Sequence, residues 1–164
     1  MVIFAAANPE PNFHLLDRFL VMMDYQNVPT VICFNKEDLS TKEELEELQR
    51  IYAGCESQVL FVSAGQEKGM EAVHEILKGK TTTVAGPSGV GKSTLINCLL
   101  GAQAISTQEI GKGDKGRHTT TGREMFPCPL GGVVIDTPGM REMGAESADL
   151  SQTFGEIEDL ARHC

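Results

Sequence analysis

A glycine-rich stretch at positions 86–93 has the spacing GxxxxGK[ST], in which backbone amides, a lysine and a hydroxyl can hold phosphate groups. Lys92 is predicted to reach the outer phosphates, and the Ser93 hydroxyl to ligate Mg²⁺. A β-branched run before the loop and an apolar helical pattern after it argue against a chance match. The residues predicted to bind the nucleotide here are Gly86, Pro87, Ser88, Gly89, Val90, Gly91, Lys92, Ser93 and Thr94.

A second motif, VVIDTPG at 133–139, contains an apolar run that ends in an aspartate. Asp136 is predicted to hold Mg²⁺ through a water molecule, and the Gly139 amide to sense the terminal phosphate of the nucleotide. Taken alone, DTPG is also typical of a simple turn after a strand. The phosphate-binding stretch upstream makes a metal carboxylate the better interpretation.

The residues Asn-Lys-Glu-Asp at 35–38 follow a β-rich stretch, so they would lie at the carboxyl end of a strand, where ligands bind. The Asp38 carboxylate can accept two hydrogen bonds from guanine, from a ring N–H and an amine, and adenine lacks that amine. The Lys36 stem is predicted to lie along the base, and Asn35 to tie this loop to the phosphate loop. An ordinary capping turn using Asp38 or Ser40 is the alternative.

A second base-side segment, Ser-Ala-Gly at 63–65, also follows a strand-like stretch. The Ala64 N–H is predicted to donate to the carbonyl oxygen of guanine. Ser63 and Gly65 are nucleotide-binding candidates beside it.

Strand-like and helix-like segments alternate, which predicts an α/β fold with a mostly parallel sheet covered by helices on both faces. Short β-rich or apolar stretches predict strands at 2–6, 28–34, 58–64, 81–86, 123–130 and 131–137. Apolar residues at helical spacing predict helices at 13–24, 41–52, 68–78 and 92–101.

Composition and charge restrict the class of protein. The 164 residues carry a net charge of −9, which argues against a nucleic-acid grip made by this segment alone. The five cysteines are scattered without CxxC spacing, as in reduced intracellular proteins. There is no apolar run long enough for a bilayer and no secretory leader, so we expect a cytoplasmic protein without membrane contact.

The order of the motifs is unusual. In ordinary GTPases the phosphate loop comes first, whereas here NKED and SAG precede it. Because domain termini often lie close together, a circular permutation can move the chain ends and leave every strand in place. This order, with GPSGVGKSTLIN, GKGDKGRHTTT and IDTPGMRE, resembles the circularly permuted GTPases of the RsgA family. The resemblance covers essentially the whole chain.

The resemblance implies a P-loop GTPase fold, with 1–149 as the permuted GTPase domain and 150–164 as a helix leading to a zinc domain absent from this chain. It implies an OB domain before this segment, and Cys164 as a first zinc ligand in the full-length protein only. The implied cofactor is Mg²⁺, with GTP as substrate and GDP as product. The implied role is late maturation of the small ribosomal subunit by a monomer whose hydrolysis is slow alone and stimulated by the subunit.

Residues 103–122 are polar and glycine-rich with no periodicity, which is typical of a loop that is either functional or disordered. The resemblance aligns GRHTTT at 116–121 with the first switch and implies a Mg²⁺-ligating threonine, Thr120 being favoured over Thr119. Basic residues within 111–123 indicate either contact with ribosomal RNA phosphates or a solvated loop. The missing flanking domains are expected to make most contacts with the subunit.

Met140 follows DTPG at a position where many GTPases place a glutamine that orients the attacking water. Methionine cannot do this, so His118, as a neutral imidazole, is the candidate for positioning water. A loop histidine without a catalytic role is the alternative. The predicted catalytic set is His118, Thr120 and Gly139. Met140 also leaves open a guanine-nucleotide-dependent sensor with negligible hydrolysis.

Overall fold

The computed structural model describes residues 1–101, 124–129 and 131–136 as alternating strands and helices. The strands are β1 (Val2–Ala5), β2 (Val31–Asn35), β3 (Gln58–Phe61), β4 (Thr81–Val84), β5 (Glu124–Pro127) and β6 (Val133–Asp136). The helices are α1 (Phe13–Tyr25), α2 (Lys42–Ile51), α3 (Met70–Leu77) and α4 (Lys92–Leu100). Two 3₁₀ turns lie at Glu37–Leu39 and Ala64–Gln66. The predicted C-terminal helix at 150–164 lies outside the described residues.

The strand ends differ from the predicted ones by a few residues, for local reasons. Strand β2 begins at Val31 and not at residue 28, since Pro29 has no N–H to donate to a strand ladder. Strand β6 begins at Val133, because Gly131 and Gly132 adopt φ angles of +83° and +92° that belong to a turn.

The strands form a mostly parallel sheet in the order β3-β2-β1-β4-β6-β5. Strands β1, β2 and β3 pair in parallel, as do β4 and β6, whereas β5 runs antiparallel to β6. The two halves join between β1 and β4. There the Ile3 N–H donates to Ala85 O at 2.7 Å, and the Ala85 N–H donates to Met1 O at 3.1 Å. Strand β1 therefore lies in the centre of the sheet, beside the strand that leads into the phosphate loop.

Helices cover both faces of the sheet, as predicted. Ile3 and Ala5 of β1 belong to one core cluster, and Val2 and Phe4 to the other, because side chains alternate along a strand. The first cluster includes Val73 and Leu77 of α3 with Leu95 and Leu99 of α4, and the second includes Leu16, Phe19 and Leu20 of α1 with Leu48 of α2. Within the described ranges, no helix combines the length and the apolar character needed to cross a membrane.

Tyr52, directly after α2, ties this helix to α1 and β2. Its ring is buried, and its centroid lies 6.0 Å from that of Phe34 and 6.4 Å from that of Phe13. Its hydroxyl donates to Asp17 Oδ1 at 3.0 Å. Burial raises the pKa of Asp17, while this hydrogen bond and the nearby His14 act in the opposite direction. The contact holds the strand that ends at the base-side loop.

We expect Tyr52→Phe to lower the free energy of unfolding by about 1 to 2 kcal/mol, measured by urea denaturation. The ring and its packing remain, but the half-buried carboxylate of Asp17 loses its donor. An unchanged denaturation midpoint would show that water replaces the hydroxyl without loss.

The matched variant Asp17→Asn keeps an acceptor for Tyr52 and removes the charge, so it should lose less stability. Because folding raises the pKa of Asp17, this residue binds more protons in the folded chain than in the unfolded one just above pH 3.8, and its contribution to stability falls as the pH rises through that range. Asp17→Asn should therefore flatten the pH dependence of stability just above this value.

Candidate functional site

The site is assembled at the carboxyl edge of the sheet, where several strand-to-helix connections meet. Asn35 ends β2, Ser63 lies shortly after β3, and Asp136 ends β6. The phosphate loop connects β4 to α4. Because these strands run in parallel, their functional residues converge on one edge although the chain supplies them far apart in sequence.

The phosphate loop passes close to two neighbouring segments, and glycine is required at both contacts. A Cβ at Gly86 would clash with the carbonyl oxygen of Ile3 in β1. A Cβ at Gly91 would clash with Nδ2 of Asn35, and Gly91 also has φ of +90°. Helix α4 begins directly after Gly91, so its N-terminal amides face the loop.

Lys92 lies folded back into the phosphate loop. Its Nζ donates to Gly86 O at 2.8 Å and to Pro87 O at 2.6 Å. Burial lowers the pKa of the ammonium, and the negative charge of Asp136 opposes this shift. A half-buried cation that donates to carbonyl oxygens is well suited to receive an anion, because phosphate oxygens would offset its lost hydration.

The other predicted residues of this loop differ in what they present. Ser88 and Gly89 are exposed at the loop tip. The Val90 side chain is 1% exposed and packs in the core, so only its backbone takes part in the site. Ser93 lies in the first turn of α4, and Thr94 lines a cavity described below.

Asp136 is buried, at 2% exposure, at the end of β6, and Ser93 lies in the first turn of α4. No group of three or more histidine, cysteine, aspartate or glutamate side chains in the described ranges could hold a metal. A single carboxylate and a hydroxyl are hard oxygen donors. They fit Mg²⁺ as it occurs at nucleotide sites, where phosphate oxygens and water supply the remaining ligands.

Asn35 connects the two base-side loops to the phosphate loop. Its side chain is buried, Nδ2 donates to Val90 O at 2.9 Å, and Oδ1 accepts from the Ala64 N–H at 2.9 Å. These partners lie 55 and 29 residues away in the sequence. One amide group thus fixes three separate segments relative to one another.

The Ala64 contact differs from the prediction. Its N–H was expected to face the carbonyl oxygen of guanine, but in this structure it donates to Asn35. A base carbonyl would therefore have to share this N–H with Asn35 or take it over.

Asp38 lies on an exposed turn after β2, and its Oδ1 accepts a hydrogen bond from the Ser63 hydroxyl. The contact joins the NKED and SAG loops at the carboxylate predicted to bind the base. Both residues border a cavity of about 340 Å³. Its lining residues are Asn35, Lys36, Asp38, Leu39, Ser63, Gly65, Gln66, Gly91 and Thr94.

Sequence reasoning missed Leu39 and Gln66 in this cavity. Leu39 is 54% exposed, which is unusual for a large apolar side chain beside a polar pocket. The sequence did offer one signal for Leu39. It is an apolar residue directly after Asp38, and it does not belong to the helical pattern that follows. Gln66 gave no signal beyond its closeness to the SAG segment.

Lys36 crosses from its own loop to the phosphate loop. Its backbone adopts a left-handed φ of +62°, and Nζ donates to Asn8 O at 2.6 Å and to Gly89 O at 2.8 Å. The stem of Lys36 borders the cavity, where it was predicted to lie along a base. The loop containing Asn8 was not predicted to take part.

Several predicted residues lie outside the described ranges. They include the switch segment 103–122 and the C-terminal residues, so the structure says nothing of the roles predicted for His118, Thr119, Thr120, Gly139, Met140 and Cys164.

The phosphate loop between β4 and α4, the base-side loops after β2 and β3, and the sheet order define a class: a P-loop GTPase fold whose motif order is circularly permuted. The family model described as RsgA GTPase matches residues 1–146. The chain therefore belongs to the RsgA GTPase family.

Two curated relatives are named small ribosomal subunit biogenesis GTPase RsgA. The protein from Agathobacter rectalis is 46% identical over 168 residues, and that from Alkaliphilus metalliredigens is 38% identical over 168 residues. Each match covers 100% of this chain, but only 56% and 58% of the respective relative. The chain thus spans little more than half the length of these relatives.

Solved structures show the same fold. The crystal structure of YjeQ from Thermotoga maritima is 38% identical, with a TM-score of 0.64 over 85% of this chain and 47% of that chain. YloQ, described as a circularly permuted GTPase, is 26% identical, with a TM-score of 0.66 over 99% of this chain and 53% of that chain.

We expect Asn35→Ala to lower the free energy of unfolding by about 2 to 4 kcal/mol, because Val90 O and the Ala64 N–H both lose a buried partner. Denaturation by urea measures this change, and hydrogen exchange should show faster exchange of the Ala64 amide. The matched control Asn12→Ala removes only the cap of α1, for about 1 kcal/mol. If the two variants lose equal stability and the Ala64 amide stays protected, the proposed connection is wrong.

Proposed function

We propose that this domain binds GTP with Mg²⁺, hydrolyses it to GDP and phosphate, and acts as a switch in the late maturation of the small ribosomal subunit. The observation that carries the proposal is one cavity bordered by both base-side loops and by the phosphate loop. Asp38 and Ser63 lie on its base side, and Gly91 and Thr94 on its phosphate side. A guanine nucleotide fits this arrangement, because its base would lie on the side of Asp38 and its phosphates on the side of Gly91.

Recognition of guanine rests on the Asp38 carboxylate. One of its oxygens accepts from the Ser63 hydroxyl, which holds the group in place at the cavity. Guanine offers two adjacent donors to such a carboxylate, whereas adenine does not. The Lys36 stem would lie along the base while its ammonium stays anchored to Gly89 O.

Binding of the phosphates rests on the loop amides and Lys92. On binding, Lys92 would exchange the carbonyl oxygens of Gly86 and Pro87 for phosphate oxygens. Ser93 and Asp136 would hold Mg²⁺, Asp136 through water, with Thr120 as a further ligand. When bound, this ion supplies positive charge that stabilises the negative charge on the transferring phosphate.

For hydrolysis we propose that His118 positions the attacking water and that the Gly139 amide senses the terminal phosphate. Met140 in place of a water-orienting residue supports slow intrinsic turnover that the subunit stimulates. Met140 also supports a second candidate function, a guanine-nucleotide-dependent recruitment module with negligible hydrolysis. Single-turnover hydrolysis with and without small subunits separates the two.

The names of the relatives support the small ribosomal subunit as the partner. We propose that most contacts with it, including those with its RNA, come from parts of the longer protein outside this chain, and that 111–123 adds basic contacts. In that longer protein Cys164 would begin a zinc site. We further propose a cytoplasmic monomer.

We expect Asp38→Asn to weaken GTP binding at least about hundredfold, since two hydrogen bonds to a charged acceptor are replaced. The same change should strengthen binding of xanthosine triphosphate, whose base offers an acceptor where guanine has its amine. Isothermal titration calorimetry of wild type and variant with GTP and with xanthosine triphosphate measures the four affinities.

Asp24→Asn, near the C-terminal end of α1, makes the same change away from the cavity. It is the matched control and should bind GTP normally. Unchanged GTP affinity in Asp38→Asn would remove Asp38 from the base site. A wild-type domain that binds no guanine nucleotide would overturn the proposed function itself.

We expect His118→Ala to slow subunit-stimulated hydrolysis at least about tenfold while GTP affinity stays nearly unchanged, because the lost contact forms only in the transition state. Multiple-turnover phosphate release with small subunits, on the full-length protein, measures this. His14→Ala, an exposed histidine on α1, is the control. Normal stimulated turnover in His118→Ala would show that a group other than His118 positions the attacking water.

A further inference from the structure

An ion pair crosses between the two base-side loops without entering the cavity. Lys68 Nζ lies 2.8 Å from Glu37 Oε1, and the Glu37 side chain is only 11% exposed. Glu37 directly precedes Asp38, and Lys68 closes the loop that carries Ala64. Neither charged residue is among those that line the cavity.

The backbone around both residues is fixed, so the ion pair links two rigid loops. The Glu37 N–H donates to Val62 O at 3.0 Å. Ser63 and Lys68 exchange two backbone hydrogen bonds, each of 3.0 Å, which close the loop between them. Two other ion pairs, Lys42–Glu46 and Lys78–Glu75, instead join neighbours along a single helix.

Another side-chain link between these loops uses the carboxylate that is proposed to bind the base. The Ser63 hydroxyl donates to Asp38 Oδ1, so its geometry depends on how Asp38 meets a ligand. The Glu37–Lys68 contact does not include the Asp38 carboxylate itself. It would therefore hold the spacing between Asp38 and Ala64 both before and after a base enters.

We propose that the Glu37–Lys68 ion pair is a positioning element for guanine recognition, which supports Asn35 in holding the separation of the two base-side loops and prolongs the residence of the nucleotide. The inference rests on the proposed function, since it concerns the same base site. Lys68 and Glu37 are positioning residues, acting through Asp38 and Ala64. The hydrogen bond to Glu37, then the negative charge of Glu37 and to a smaller extent that of Asp38, raise the pKa of the exposed Lys68 ammonium, which stays charged at neutral pH.

The test compares GDP and inosine diphosphate, whose base lacks the exocyclic amine that Asp38 would bind. In Lys68→Met, the release rate of fluorescently labelled GDP should rise about two- to fivefold, the range of exposed ion pairs. The affinity advantage of GDP over inosine diphosphate should shrink by a similar factor. A loss of general stability would weaken both nucleotides alike and leave that ratio unchanged.

Lys68→Arg should restore both readouts, because the guanidinium keeps the charge, and so should the charge-reversed double variant Glu37→Lys with Lys68→Glu. Lys78→Met removes an exposed ion pair away from the cavity and should behave as wild type. Because salt screens the ion pair, a higher salt concentration should reduce the difference in GDP release rate between wild type and Lys68→Met.

Equal release rates and equal nucleotide preference in wild type, Lys68→Met and Lys78→Met would overturn the inference while leaving the proposed function intact. Failure of the wild-type domain to bind GDP would instead count against the proposed function.

Discussion

The nucleotide site depends on a single buried amide, the side chain of Asn35. It ends a central strand and donates to the phosphate loop while it accepts from the loop after the next strand. Because an amide presents a donor and an acceptor about 2 Å apart in fixed geometry, it cannot satisfy one partner without placing the other. Leaving either partner unsatisfied in a buried place would cost free energy, so the three segments stay in register with one another.

This constraint also explains the composition of the phosphate loop. Asn35 lies so close to Gly91 that any side chain there would displace it, and the helix that follows can begin only because glycine accepts the backbone conformation. Lys92 Nζ then donates to the carbonyl oxygens of Gly86 and Pro87 within the loop. The backbone of the loop is thus constrained by its neighbours, which lowers the entropy that ordering it on binding would cost.

The hydrophobic periodicity of the sequence predicted the alternating elements and the two-sided core, because strands buried on both faces are recognisable from composition alone. The positions of the motifs after predicted strands also predicted that the base-side loops and the phosphate loop lie at one edge of the sheet. The sequence could not show that the Ala64 N–H is occupied by Asn35, or that Asn8 meets Lys36, since both contacts depend on how loops cross in three dimensions. The Glu37–Lys68 pair was missed for the same reason, whereas Leu39 was missed because it belongs to no periodic pattern.

The place of β1 in the sheet has a consequence for how the domain is made. During synthesis β1, β2 and β3 with their helices leave the ribosome before β4, and domains begin to fold from the N-terminal side. Until β4 arrives, the buried residues Val2–Ala5 of β1 present an unpaired apolar edge that is able to pair with other chains. The nascent domain is therefore exposed to misassembly at this edge until β4 has left the ribosome and Ala85 pairs with β1.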